Sequence, residues 1–176
     1  MKKQELTDCS PTKQITVLLA EDHAKFRKSL KLLVELDGDI EVVGEAKNGC
    51  DAVRMTKSIH PEVIVMDIAM PQLNGLEATK QIMESAPATR VLILSANSDP
   101  EYIKQAMLLG ASGYLIKQSS ALFLTHAIRE VLKGHTYFSS SISKLVCDHC
   151  RQLFSKAELV KKKVLQIAHS NAALNC

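Results

Sequence analysis

The chain has no apolar run long enough to cross a bilayer. Its longest runs, such as Val91-Leu-Ile-Leu94, fall far short of the ~20 residues that a spanning helix needs. The stretch from Met1 to Ser10 has no apolar core, so no secretory signal is read there. A cytoplasmic location and no membrane contact are expected. A disulfide framework is missing too, because five cysteines is an odd count for a chain without secretory features. Cys147-Asp-His-Cys150 is a lone C-x-x-C, whereas structural zinc takes four ligands, usually in two close pairs. Only His169 and Cys176 come after it, at loose spacing, so these cysteines are read as ordinary thiols. No internal repeat is present. With 46% hydrophobic and 23% charged residues, disorder and collagen-like structure are excluded for the whole chain.

The net charge of +3 is small but uneven. Residues 133–176 hold seven Lys/Arg against two Asp/Glu, while residues 1–132 hold fifteen against seventeen. A basic tail on an acidic body suits an acidic partner such as nucleic acid, or is simply a solvated helix face.

What is present is a regular alternation. Ile15–Ala20, Ile40–Ala46, Glu62–Asp67, Arg90–Ser95 and Gly113–Lys117 are short apolar runs rich in β-branched residues, so five strands are expected. Between and after them lie helical stretches at 23–36, 48–59, 76–85, 100–109 and 121–132. In the first, Phe26, Leu30, Leu33 and Val34 form the apolar face. Asp99-Pro100 reads as an N-cap followed by Pro at the first helical position, and Gly110 as a C-terminal cap. Five strand–helix units joined by short loops predict a doubly wound α/β fold, a five-stranded parallel sheet covered on both faces.

Ligands of such sheets bind at the carboxyl ends of the strands. Those ends carry Glu21-Asp22, Asp67, Ser95 followed by the small Ala96, and Lys117. Taken singly, each has a plainer explanation: helix caps for the acids, a strand-end hydroxyl, a solvated amine, and for Tyr114 a half-buried aromatic. Their conjunction is what points to chemistry. Three clustered carboxylates repel one another unless a cation sits among them. An open all-oxygen site suits Mg²⁺, which keeps several waters and binds through one or two carboxylates plus phosphate oxygens. With a lysine nearby, this suggests phosphoryl transfer, in which a carboxylate can itself be the nucleophile.

Residues 15–132 resemble the receiver domain of two-component response regulators. The resemblance is carried by Val17-Leu-Leu-Ala-Glu-Asp-His23, Val65-Met-Asp-Ile-Ala-Met-Pro-Gln-Leu-Asn-Gly-Leu-Glu-Ala-Thr79, Leu92-Ile-Leu-Ser-Ala96 and Gly110-Ala-Ser-Gly-Tyr-Leu-Ile-Lys117. The last of these, with Tyr137-Phe-Ser139, is most similar to the NarL/FixJ-type subgroup. The resemblance implies a flavodoxin-like (βα)5 fold. It implies that Asp67 accepts a phosphoryl group from a sensor histidine kinase. Mg²⁺ would be held by Asp22, Asp67 and the Ala69 carbonyl, with Glu21 assisting through water. Lys117 would contact the phosphoryl group, with Ser95, Ala96 and Tyr114 forming the switch. The surface of the fourth helix, fifth strand and fifth helix would change, controlling homodimerisation and a transcriptional output. Many receivers have a cis Lys-Pro bond where this chain has Lys117-Gln118. Before Gln, a cis bond would cost about 2.5–4 kcal/mol and is not expected.

The expected organisation is an N-terminal extension (1–14), the receiver (15–132), a linker (133–154) and a helical remnant of a LuxR-type DNA-binding domain (155–176). That remnant reads as truncated or degenerate, since residues 155–176 hold too little chain for a complete helix-turn-helix. Lys161, Lys162 and Lys163 would meet DNA phosphates without reading bases. Two alternatives are carried beside that of a working DNA-binding regulator whose tail binds DNA after dimerisation. One is a stand-alone receiver that works through protein contacts or as a phosphate sink. The other is a haloacid-dehalogenase-like phosphatase, an enzyme that also uses an aspartate nucleophile. That chemistry needs a second Asp two residues after the nucleophile, where this chain has Ala69, so the protein is not expected to be an enzyme.

Overall fold

A computed structural model of the chain describes residues 13–140, 142 and 143. The Cys147–Cys150 pair, the predicted remnant at 155–176 and Lys161–Lys163 lie outside them. The elements run β1 (Ile15–Ala20), α1 (Ala24–Glu35), β2 (Ile40–Ala46), α2 (Gly49–Ile59), β3 (Val63–Asp67), α3 (Gly75–Ser85), β4 (Arg90–Ser95), α4 (Pro100–Leu108), β5 (Gly113–Ile116), α5 (Ser120–Leu132) and β6 (Tyr137–Phe138). The strand order is β2-β1-β3-β4-β5-β6. The first five strands are parallel. This is the predicted doubly wound sheet, with an added two-residue strand at one edge that gave no sequence signal. It begins where the Tyr137 N–H donates to the Ser112 carbonyl at 3.2 Å. A boundary between compact units falls after Tyr137, so β1 to β5 and all five helices belong to the first unit.

Successive strand residues point to opposite faces. One face buries Val17, Leu19, Val63, Val65, Leu92, Leu94 and Leu115 beneath Leu30 and Val34 of α1 and Leu124, Ala127, Ile128 and Val131 of α5. The alternate residues Leu18, Ile64, Met66 and Ile93 are equally buried on the other face. Covering on both faces explains why β3 is apolar at four successive positions before its terminal acid.

The helix signals are met with small shifts. Asp99 caps α4 by accepting the Glu101 N–H at 2.9 Å, with Pro100 at the first helical position. Gly110 has φ +95°, where an added side chain would be strained. Asn48 and Asn74 cap α2 and α3 through their side-chain oxygens. The predicted apolar stripe of α1 faces the core: Leu30 and Val34 are buried in it, Phe26 and Leu33 pack against it partly buried, and Arg27 joins the buried side. Glu62 precedes β3 because its carboxylate accepts from the Thr16 N–H at 3.0 Å and pairs with Lys13 at 2.8 Å. Lys117, expected to end the fifth strand, instead opens a single 3₁₀ turn at 117–119. No cis peptide bond occurs among the described residues.

Arg129 of α5 reaches the α1–β2 turn, pairing with Asp37 at 2.7 Å and Asp39 at 2.8 Å. The Arg129 hydrogen bonds hold the Asp39 carboxyl below its ordinary value of 3.8. Its contribution to stability is therefore complete above the ordinary value and lost as pH falls through the lowered one. Because the partners are largely solvated, Arg129→Ala is expected to cost only about 1 kcal/mol at pH 7, and less near pH 2. Urea melts at the two pH values check this; equal losses would refute it.

Candidate functional site

Strand order reverses between β1 and β3, which lie side by side although β2 joins them in sequence. Such a switch point opens a crevice at the carboxyl ends of the strands. Register sets what faces it. Ala20 pairs with Met66, so Glu21 and Asp67 leave the sheet at one level. Leu94 pairs with Asp67 and Ile116 with Ser95, so Ser95 and Lys117 continue the same rim.

The structure brings Glu21, Asp67 and Lys117 into one ion cluster. The Lys117 Nζ lies 2.8 Å from Glu21 Oε2 and 2.9 Å from Asp67 Oδ2. Both carboxylates are nearly inaccessible, at 1% and 4% exposure. Expected repulsion among the acids is thus offset by the protein's own ammonium group. Burial pushes the Lys117 amine down, but the Glu21 and Asp67 carboxylates outweigh it and raise it above its ordinary value. The same ammonium stands 5.1 Å from the centre of the Phe26 ring, within cation–π range.

Asp22 is joined to this cluster through His23, a residue given no role from sequence. The His23 Nδ1 lies 2.8 Å from Asp22 Oδ1 and 3.2 Å from Glu21 Oε1. The Asp22 charge, then the Glu21 hydrogen bond, raise the imidazole above its ordinary 6.5. Glu21, Asp22 and His23 offer ligand atoms within 4.8 Å of one another. Asp22 Oδ1 and Asp67 Oδ2 are buried oxygens that make no directional hydrogen bond, despite their close cationic neighbours. Buried anionic oxygens held by ion pairs and not by directional hydrogen bonds fit a divalent cation, and an oxygen-rich donor set is the kind Mg²⁺ takes. Ala69 and Ala96 are exposed beside the crevice.

The hydroxyl side of the rim is separately organised. Ser95 Oγ accepts the Asn97 N–H at 3.0 Å, and the Tyr114 hydroxyl donates to the Asn97 carbonyl at 2.8 Å. Tyr114 is fully buried, not half-buried. Burial foremost, together with the Asp67 charge, raises its phenol above 10.

The loop from Asp67 to α3 is held tightly. Gly75 donates to the Ile68 carbonyl at 2.9 Å, Leu73 to that of Pro71 at 2.8 Å, and Gly49 of α2 to that of Leu73 at 3.1 Å. Gln72 takes a left-handed conformation, φ 66°, to make the bend.

A parallel sheet of this order, with two acids after β1, one ending β3 and a lysine after β5, defines a response-regulator receiver. The chain belongs to that family: the response regulator receiver domain matches residues 17–129. It is of the NarL/LuxR type. It is 33% identical over 145 residues to the transcriptional regulatory protein DegU of Brevibacillus brevis, covering 82% of this chain and 61% of DegU. It is 35% identical over 156 residues to LiaR of Bacillus subtilis, covering 87% of this chain and 74% of LiaR. The chain thus spans about three fifths to three quarters of these regulators. A LuxR-family response regulator from Aurantimonas sp. SI85-9A1 superposes with a TM-score of 0.75 at 30% identity, covering 77% of this chain and 97% of that one. The receiver domain of NarL from Mycobacterium tuberculosis superposes with a TM-score of 0.68 at 32% identity, covering 70% and 99%. No helix among the described residues is long and apolar enough to cross a membrane.

Proposed function

We propose that the chain is a cytoplasmic phosphorylation switch, not an enzyme, in which Asp67 is the phosphoacceptor. The carrying observation is the position of Asp67 at the switch point, level with Glu21 and 2.9 Å from the Lys117 ammonium. A carboxylate oxygen of Asp67 attacks the phosphorus of a phosphohistidine on a partner sensor kinase. The P–N bond breaks, its electron pair returns to the imidazole, which takes up a proton, and an acyl phosphate is left on Asp67. Asp22, Asp67 and the Ala69 carbonyl would hold Mg²⁺, with Glu21 acting through water. The ion supplies charge neutralisation for the incoming phosphoryl oxygens. Lys117 supplies a second positive charge to those oxygens, at the cost of loosening its pairing with Glu21 and Asp67.

The readout runs through Ser95, Ala96 and Tyr114. Ser95 and Tyr114 meet at Asn97, so an oxygen drawing the Ser95 hydroxyl toward Asp67 would disturb the Asn97 link to Tyr114. The face of α4, β5 and α5 would shift with it, by a change in population between two packings. Homodimerisation and transcriptional control are the proposed outputs, with DNA as the proposed partner in the second. The relatives' names as transcriptional regulatory proteins support that output.

Intact mass after incubation with Mg²⁺ and a small phosphodonor tests the reading. Wild type is expected to gain one phosphoryl group and Asp67→Asn none. A gain of equal size in Asp67→Asn would move the acceptor elsewhere, and no gain in folded wild type would remove small-donor phosphorylation from the proposal.

A further inference from the structure

Arg27 is the one charged residue in the buried stripe of α1, and its side chain is 8% exposed. Its contacts join the candidate site to the end of β2. Nη1 donates to the Glu21 carbonyl at 2.6 Å and stands 3.5 Å from that of Asp22. Nε donates to Glu45 Oε2 at 2.9 Å, and Lys31 flanks the same carboxylate at 3.8 Å. Glu45 is the penultimate residue of β2, and the next residue, Ala46, accepts the Glu21 N–H at 3.1 Å. The peptide carrying Glu21 is therefore held on both sides, by the end of β2 at its N–H and by the guanidinium at its carbonyl.

We infer that Arg27 is a positioning residue for the Glu21-Asp22 pair, itself aimed by Glu45. Glu21 and Asp22 lie beyond the last residue of β1. The bond from the Glu21 N–H to Ala46 is the last that β2 supplies here, and the Glu21 carbonyl is held by Arg27. Two carboxylates that repel each other at a loop would turn apart unless their backbone were fixed. A guanidinium is suited to this because its donors diverge from one rigid plane, so one side chain serves a carbonyl and a carboxylate together. A lysine presents a single compact charge and would not reproduce both contacts. Supports of this kind around a metal-binding group commonly change affinity by about tenfold or more. The inference rests on the proposed Mg²⁺ role of Asp22, and the test separates the two.

The test uses Arg27→Lys and Glu45→Ala, with Arg54→Ala on the exposed face of α2 as control. Amide hydrogen exchange is followed by NMR without metal. The Glu21 and His23 amides are expected to exchange about tenfold faster in Arg27→Lys, less so in Glu45→Ala, with Leu19 and Val65 unchanged. Calorimetric Mg²⁺ affinity is expected to weaken about tenfold in Arg27→Lys, and not in the control. If Arg27→Lys does not fold, Glu45→Ala, which removes only a half-exposed side chain, carries the same readouts. Unchanged exchange at Glu21 and His23, or equal acceleration throughout the core, overturns the inference. Selective acceleration in a protein whose wild type binds no Mg²⁺ upholds Arg27 as a positioning residue and overturns the metal reading instead.

Discussion

Replacing Lys117 by Met is expected to lower stability by about 3 kcal/mol at pH 7 and to abolish phosphoryl gain at Asp67. The ammonium is the cation that Glu21 and Asp67 share, and the site exposes only 19% of it and almost none of its partners. Removing it leaves two buried carboxylates with their charges opposed across the crevice, and breaking one side of a buried pair costs far more than the pair contributes. In a domain of this size, the thermal midpoint should fall on the order of 10 °C.

The pH dependence has a definite sign. In the variant the two buried carboxylates face each other without their shared cation, and acid relieves that repulsion in the folded state more than in the unfolded one. Stability then falls as pH rises. The deficit relative to wild type should therefore shrink as pH is lowered from 7 toward 5. Urea melts of both proteins at the two pH values measure it. A constant deficit, or none, would show that Lys117 does not neutralise this cluster.

Gly75→Ala should be comparably damaging for a different reason. A Cβ at Gly75 would fall inside contact distance of the Asp67 carbonyl oxygen and 2.9 Å from Ile68 Cα. Those atoms are backbone and cannot swing aside as a side-chain tip would. The start of α3 must then lift from the end of β3, losing the Gly75–Ile68 hydrogen bond and moving Asp67 with it. Overpacking of this kind costs about 3 kcal/mol, the upper end of the usual range. A shift of about 1 Å at the acceptor would slow phosphoryl gain by up to about 100-fold. Gly38→Ala is the contrast. Its φ of +77° carries a strain of about 1–2 kcal/mol. It has open space around it, however, and should leave the phosphorylation rate unchanged. Equal rates for Gly75→Ala and wild type would show that this contact does not set the position of Asp67.

Much of the fold was legible because its signals are local. β3 reads as a strand from Val63-Ile-Val-Met, and α4 starts where Asp99-Pro100 says it should. The two-residue β6 left no trace because a single pairing at the sheet edge imposes no periodicity on its residues. Arg27 was legible only in retrospect, as a cation three residues before Leu30 on the buried side of α1. His23 was in view within the family motif, but nothing in its type says that it turns back onto Asp22.

The alternation of strands and helices, the family, and the residues at the strand ends are all readable along the chain. Those features come from side-chain period, caps and turn residues, which act over a few positions. That Lys117 answers Glu21 and Asp67, that Arg27 holds the Glu21 backbone, and that Gly75 must stay bare beside Asp67 emerge from the folded arrangement. Each of these joins residues on different elements. Their meeting depends on strand order and on the register that sets Ala20 against Met66, and both arise only when the whole sheet closes its core.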